Sequence, residues 1–241
     1  MQPYTLKRFE KHWADTRRGF ERECDDCRRV IQAIVRASSR VASLLAGRRT
    51  LETNCAYLLL AKFVNHVSAS LVLMERGLMV DAALTARNGL ETSILLEYLC
   101  KEPDRCAAWA GGEEFSPGRV RRELAAMPRV EIGDLAIEVG AEEYEAVRFA
   151  YSWLSRITHA NLESLNHSAT ATGDNSFVIH FGGELSIPVA VAVAQVLGDS
   201  AVRALVTCLV THSSDSFEAS RPIGEELRRS INGLRKIGDR S

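Results

Sequence analysis

The chain holds 241 residues, 30 basic against 31 acidic, with 46% hydrophobic and 25% charged residues. That length supplies a sizeable core for one large domain or two small ones, and the apolar fraction excludes a disordered chain. A net charge of -1 excludes a protein that holds nucleic acid by bulk positive charge.

The opening Met1-Gln2-Pro3-Tyr4 leads into charged, amphipathic sequence, so no signal peptide is expected and the cytoplasm is the expected compartment. From Leu6 onward Phe9, Trp13, Phe20, Cys27, Val30, Ile34, Ala37, Val41 and Leu44 recur at spacings of three and four, with Thr16 and Glu23 the only polar members. The pattern predicts one heptad helix over 4–46, filling the segment 1–47 and spanning about 60 Å. Its outer face is basic, residues 1–50 holding twelve Lys/Arg against six Asp/Glu. A seam so long exceeds what a following helix of about 27 residues covers, so a homodimer is expected.

The second helix is expected over 50–76, with Thr50 and Thr53 at its cap and Gly77 stopping it. Leu58, Leu59, Ala61, Phe63, Val64, Val67, Leu71 and Leu73 supply a broad apolar face. The third runs over 79–101 and ends before Pro103. Residues 103–139, broken by Gly111-Gly112, Pro117-Gly118 and Pro128, read as an irregular insertion over the bundle, with short helices around Cys106 and Arg121.

A fourth long helix is expected over 140–166. A hairpin follows within 174–186, pairing Ser176–Phe181 with Gly182–Ser186. A helix over 188–217 comes next, and a short amphipathic one over 222–237 closes the chain. The most apolar stretch, Ile187 to Val210, is interrupted by Asp199 and Arg203, so it reads as a buried helix and no membrane partner is expected. No repeat or linker divides the chain. The expectation is a single all-α domain over 1–241, a helical bundle with a long N-terminal heptad helix and one short β-hairpin.

Six cysteines, at 24, 27, 55, 100, 106 and 208, lack the spacing of a disulfide framework. Cys24-Asp25-Asp26-Cys27 is the one ligand-like pair, and zinc would want a second. No phosphate-binding glycine loop, zinc-protease helix or di-iron Glu-x-x-His pattern is present. Neither a metal nor a cofactor is expected.

Chemistry concentrates in the third helix. At 100° per residue Arg87, Glu91, Ile94 and Tyr98 fall within about 60° of one another, on its apolar face. Charges placed there must pair or cost several kcal/mol each. Two readings stay open: an ion pair that fixes how two helices register, or an anion or nucleotide site floored by Arg87, with Glu91 orienting the guanidinium. On the fourth helix Ser155 and His159, at i and i+4, border an apolar stripe containing Tyr144, Val147, Tyr151 and Leu154. Face-to-face packing of the two helices would gather Arg87, Glu91, Tyr98, Ser155 and His159 into one candidate binding cluster. His66 joins them on polarity alone. No residue is assigned a catalytic role.

Ala86-Arg87-Asn88-Gly89-Leu90-Glu91, followed by Leu95-Leu96-Glu97-Tyr98-Leu99 and Pro103, resembles an all-helical bacterial family of unknown function. So does Tyr151-Ser152-Trp153-Leu154-Ser155 with His159-Ala160-Asn161. That family is remotely similar to the higher eukaryotes and prokaryotes nucleotide-binding (HEPN) superfamily. The resemblance covers residues 50–215. It implies a four- to five-helix bundle, dimerisation, and nucleotide or RNA binding in a bacterial defence or stress setting. Active members of the superfamily cleave RNA without metal, through an arginine followed by histidine after four to six intervening residues. This chain departs from that pattern, since no arginine stands five to seven positions before any of its six histidines. The functional expectation is a HEPN-like nucleotide- or RNA-binding module without that ribonuclease motif. The alternatives are a non-catalytic interaction or dimerisation protein with a structural Arg–Glu pair, and a small-molecule enzyme using His159 as base.

Overall fold

A computed structural model describes residues 6–47, 50–126, 141–158, 169–171, 177–179, 185–212, 225 and 229. Helices dominate: α1 (Leu6–Glu23), α2 (Asp25–Leu45), α3 (Leu51–Glu75), α4 (Met79–Cys100), α5 (Pro103–Ala110), α6 (Pro117–Ala125), α7 (Ala141–Thr158) and α8 (Ile187–His212). The chain is all-α, as its periodicity predicts.

The long N-terminal helix is not continuous. Cys24 leaves helical geometry at φ -126° and ψ 26°, and α2 restarts with Asp25 and Asp26 in its first turn, where carboxylates favour the positive helix end. The bend lets α1 lie on α3 while α2 packs on α3 and α8. Past the break the buried positions are Cys27, Val30, Ile31, Ala33, Ile34, Ala37, Ser38, Val41 and Leu45, whereas Leu44 is 40% exposed. This drift follows the 3.6-residue turn of a straight helix instead of a 3.5-residue seam, so α2 is a core helix of the bundle. From Cys27 to Val41 the seam residues are buried within the chain.

The α3–α4 turn follows its sequence signals. Thr50 and Thr53 form a reciprocal capping box. At the other end Gly77 adopts φ +76°, with Gly77 N–H bonded to the Met74 carbonyl and Leu78 N–H to the Leu73 carbonyl. The apolar face of α3 is narrower than predicted: Leu59, Leu60, Phe63 and Val67 are buried, but Leu58 is 59% exposed. α4 is the central helix, packed by α3, α8, α7, α6 and α5. Within 103–139 the two short helices form as expected, each opened by a proline that has no N–H to lose.

The expected hairpin is displaced. Ala169–Ala171 (β1) pairs antiparallel with Phe177–Ile179 (β2), Thr170 facing Val178. The β-prone run thus takes its partner from the upstream stretch that reads as loop, while Gly182-Gly183 lies outside the described residues. Ser186 already accepts from Ala190 N–H at the start of α8, so its carbonyl belongs to a helix instead of a strand ladder. Residues 159–166 of the predicted fourth helix, 213–217 of the fifth and the 222–237 helix lie outside the described residues, apart from helical 225 and 229.

By length and composition alone both α3 and Ile187–Leu209 could cross a membrane. In the bundle 67% of the apolar window of α8 is buried but only 33% of that of α3. Arg203, which interrupts the apolar run of α8, donates to Glu97 of α4 at 2.8 Å with both side chains buried.

Candidate functional site

A cavity of about 450 Å³ opens where α3, α4, α6 and α7 meet. Leu59, Lys62 and His66, one turn apart on α3, form one wall; Asn88, Glu91, Thr92 and Leu95 form the next on α4. Trp109, Phe115, Val120 and Arg121, from the two short helices and their connection, roof it, and Tyr151 of α7 closes it. The insertion after Pro103 therefore builds the roof of the site.

Gly89 sets the depth of the α3–α4 approach. A Cβ there would lie 3.3 Å from Leu197 Cδ2 and 3.5 Å from His66 Cβ, so only hydrogen fits comfortably between the three helices. The close approach brings His66 beside the polar face of α4. Nε2 of His66 is buried with no hydrogen-bond partner among the described residues. Burial, seconded by the Lys62 ammonium, holds the imidazole below its ordinary pKa of 6.5, and Glu91 opposes them. His66 is thus a neutral side chain with an unused nitrogen at the wall of a polar cavity.

Arg87 Nε donates to Glu91 Oε1 at 3.3 Å, and Arg87 Nη2 donates to the Tyr151 hydroxyl at 2.5 Å. The Arg87 guanidinium carbon lies 4.5 Å from the centre of the Tyr151 ring, that of Arg121 3.7 Å from the same centre. Two guanidiniums thus share one ring, and Glu91, which lines the cavity, pairs with Arg87. Arg87 cancels Glu91. Lys62 and Arg121 line the cavity and make no ion pair among the described residues. Arg87 and Glu91 are 22% and 25% exposed, so they form the edge of a solvated site instead of a buried pair.

Tyr98 does not line this cavity. Its hydroxyl donates to Glu123 Oε2 at 2.5 Å, its ring meets Phe115 edge-on at 5.2 Å, and Arg105 stacks 4.0 Å over it. Burial first, then the hydrogen bond to Glu123, pushes its phenol above the usual value. Glu123 is held down by that hydrogen bond and by Arg119. Tyr98 thus fixes Phe115, a roof residue, from behind. Ser155 lies on α7 one turn beyond Tyr151, its Oγ buried and unbonded among the described residues; His159 lies outside them. Of the predicted cluster, Arg87 and Glu91 meet each other at the cavity and Tyr98 stands behind it.

Sequence reasoning missed Lys62, Arg121, Trp109 and Phe115. A signal existed for Lys62 and His66, polar residues at i and i+4 on a largely apolar helix. None existed for the roof, which is set by how the short helices fold back.

Residues 54–116 match a family profile described as a family of unknown function, DUF5677. The match runs from the first turn of α3 to the residue before α6, about a quarter of the chain, and holds the α3, α4 and α5 walls but neither Arg121 nor Tyr151. No curated protein and no solved structure matches the chain.

Proposed function

We propose that the cavity binds a small phosphorylated ligand carrying an aromatic ring, of the nucleotide class, and that the protein is a binding module of HEPN-like type. The observation that carries this reading is the pair of guanidiniums on Tyr151, with Lys62 and Arg121 lining the cavity and in no ion pair among the described residues. Arg121 and Lys62 line the cavity, and a planar guanidinium matches phosphate oxygens two at a time. Trp109 and Phe115 supply apolar faces for a ring, and about 450 Å³ lies within the size range of small-molecule pockets. The resemblance to the nucleotide-binding superfamily implies the same ligand class. Ribonuclease action is left out, because the arginine–histidine spacing for it is absent from the sequence.

The test is thermal unfolding with AMP, ATP, inorganic phosphate or a short single-stranded RNA, on wild type and Arg121→Ala. AMP or ATP should raise Tm in wild type, by about 2.7 kcal/mol of stabilisation at a hundredfold excess over Kd, and not in the variant. No shift with any of the four, or an undiminished shift in Arg121→Ala, overturns the reading.

A second reading, a homodimer, is favoured by the outer face of α3. Leu51, Leu58 and Val72 are 43%, 59% and 44% exposed, and Asn54, Ala61, Asn65 and Ser68 fill the same stripe at threes and fours. An antiparallel copy with its two-fold axis near Ala61 sets Leu51 beside Val72 and Leu58 beside Asn65, a self-complementary face with small residues at its centre. Light scattering should give a dimer at micromolar concentration and a monomer for Leu58→Arg; a monomeric wild type refutes it.

A further inference from the structure

Among the described residues three charged side chains line the cavity: Lys62 of α3, Glu91 of α4 and Arg121 of α6. Glu91 is engaged, since Arg87 Nε donates to its Oε1 at 3.3 Å, so it repels an incoming anion less than a free carboxylate would. The guanidinium carbon of Arg121 lies 3.7 Å over the Tyr151 ring. At that distance the flat face of the guanidinium meets the ring, and the edge that carries its N–H donors stays free of it. The neighbouring roof arginines are taken up, Arg105 by Glu102 and Arg119 by Glu113 and Glu123. Arg121 is only half-buried and Lys62 is exposed, so both cations can be reached from solvent.

Opposite these cations the roof holds its rings in place. Phe115 is met edge-on by Tyr98 at 5.2 Å and covered by the Arg119 guanidinium at 5.2 Å. An aromatic ring seated under the roof therefore lies at a fixed remove from the cations, within about 450 Å³.

We propose that the cavity selects a nucleoside monophosphate, with Lys62 as the residue that distinguishes a phosphomonoester from a phosphodiester. The proposal rests on the nucleotide-class reading of the cavity and narrows it. A phosphomonoester near neutral pH carries about two negative charges and three unesterified oxygens. Arg121 binds two of those oxygens through parallel N–H bonds, and Lys62 binds the third as a point charge. A phosphodiester has one negative charge and two free oxygens; Arg121 uses both, and Lys62 is left with none. In a nucleoside triphosphate the phosphate next to the ribose is also bridged on both sides, and the dianionic end stands two phosphoryl groups farther from the ring.

The experiment is isothermal titration of the full chain with AMP, 3′,5′-cyclic AMP and ATP, with and without magnesium ion, on wild type and Lys62→Gln. AMP should bind wild type at least about tenfold more tightly than either other nucleotide, which is the worth of one charge-assisted hydrogen bond. Lys62 is exposed on α3 and glutamine is as good a helix former, so the variant keeps the fold. It should lose the tenfold margin by weakening AMP far more than cyclic AMP. Cyclic AMP or ATP bound as tightly as AMP by wild type, or AMP and cyclic AMP weakened equally in Lys62→Gln, overturns the proposal and leaves nucleotide binding standing. Binding of none of the three removes the nucleotide reading itself, and the monoester preference with it.

Discussion

Removing the guanidinium from Arg203 should damage the fold more than any change at Arg87. Arg203 and Glu97 hold each other at 2.8 Å with side chains only 5% and 2% exposed, on helices that are 106 residues apart in the chain. Arg203→Met leaves a carboxylate with almost no access to water, which costs about 3–5 kcal/mol, a large share of the 5–15 kcal/mol that holds a typical domain together. The double variant Glu97→Leu/Arg203→Met removes both charges and should recover that loss, or exceed wild type by about 1–4 kcal/mol. Arg87→Ala is the control. Its ion pair with Glu91 is one turn along a single helix and 22% and 25% exposed, worth about 0.3–0.5 kcal/mol, and its hydrogen bond to Tyr151 adds about 1 kcal/mol. The sequence leads one to expect the 3–5 kcal/mol penalty at Arg87; the structure moves it to Arg203. Urea unfolding followed by circular dichroism measures all three, with midpoints compared at constant slope. A loss below about 1 kcal/mol for Arg203→Met, or a double variant as weak as the single, refutes the argument.

Three further outcomes follow from the cavity. Because the folded state holds His66 below its ordinary value, the unfolded chain binds the proton more readily, so this group makes stability fall as pH drops below 6.5, down to its folded value. His66→Gln should flatten that part of the stability–pH curve; an unchanged curve argues against burial of a neutral imidazole. Gly89→Val adds bulk where a Cβ already meets Leu197 at 3.3 Å, and should cost roughly 1–3 kcal/mol and weaken any nucleotide-dependent rise in Tm. Tyr151→Phe keeps the ring that both guanidiniums share but loses the hydroxyl; stability should fall by about 1 kcal/mol with the ligand response retained, whereas Tyr151→Leu should abolish that response.

The sequence by itself determined the helices. Periodicity, the Thr50–Thr53 cap, the stop at Gly77 and prolines 103, 117 and 188 are local signals, read by the backbone within a turn or two, and the helices they bound formed close to where expected. Arg87 and Glu91 were legible for the same reason, since one turn of helix fixes their contact. Only the tertiary structure decided the rest. The break at Cys24 is invisible in an unbroken three–four pattern; past it α2 packs on α8 as well as on the α3 that α1 also touches. The strand partner of Phe177–Ile179 was a choice between two flanking segments of similar local character. Arg203 reads as an interruption of an apolar helix until Glu97 is beside it, and Arg121 as a surface charge until α6 folds it onto Tyr151. Each of these is a contact between residues distant in the chain, and its free energy comes from burial that no local window contains.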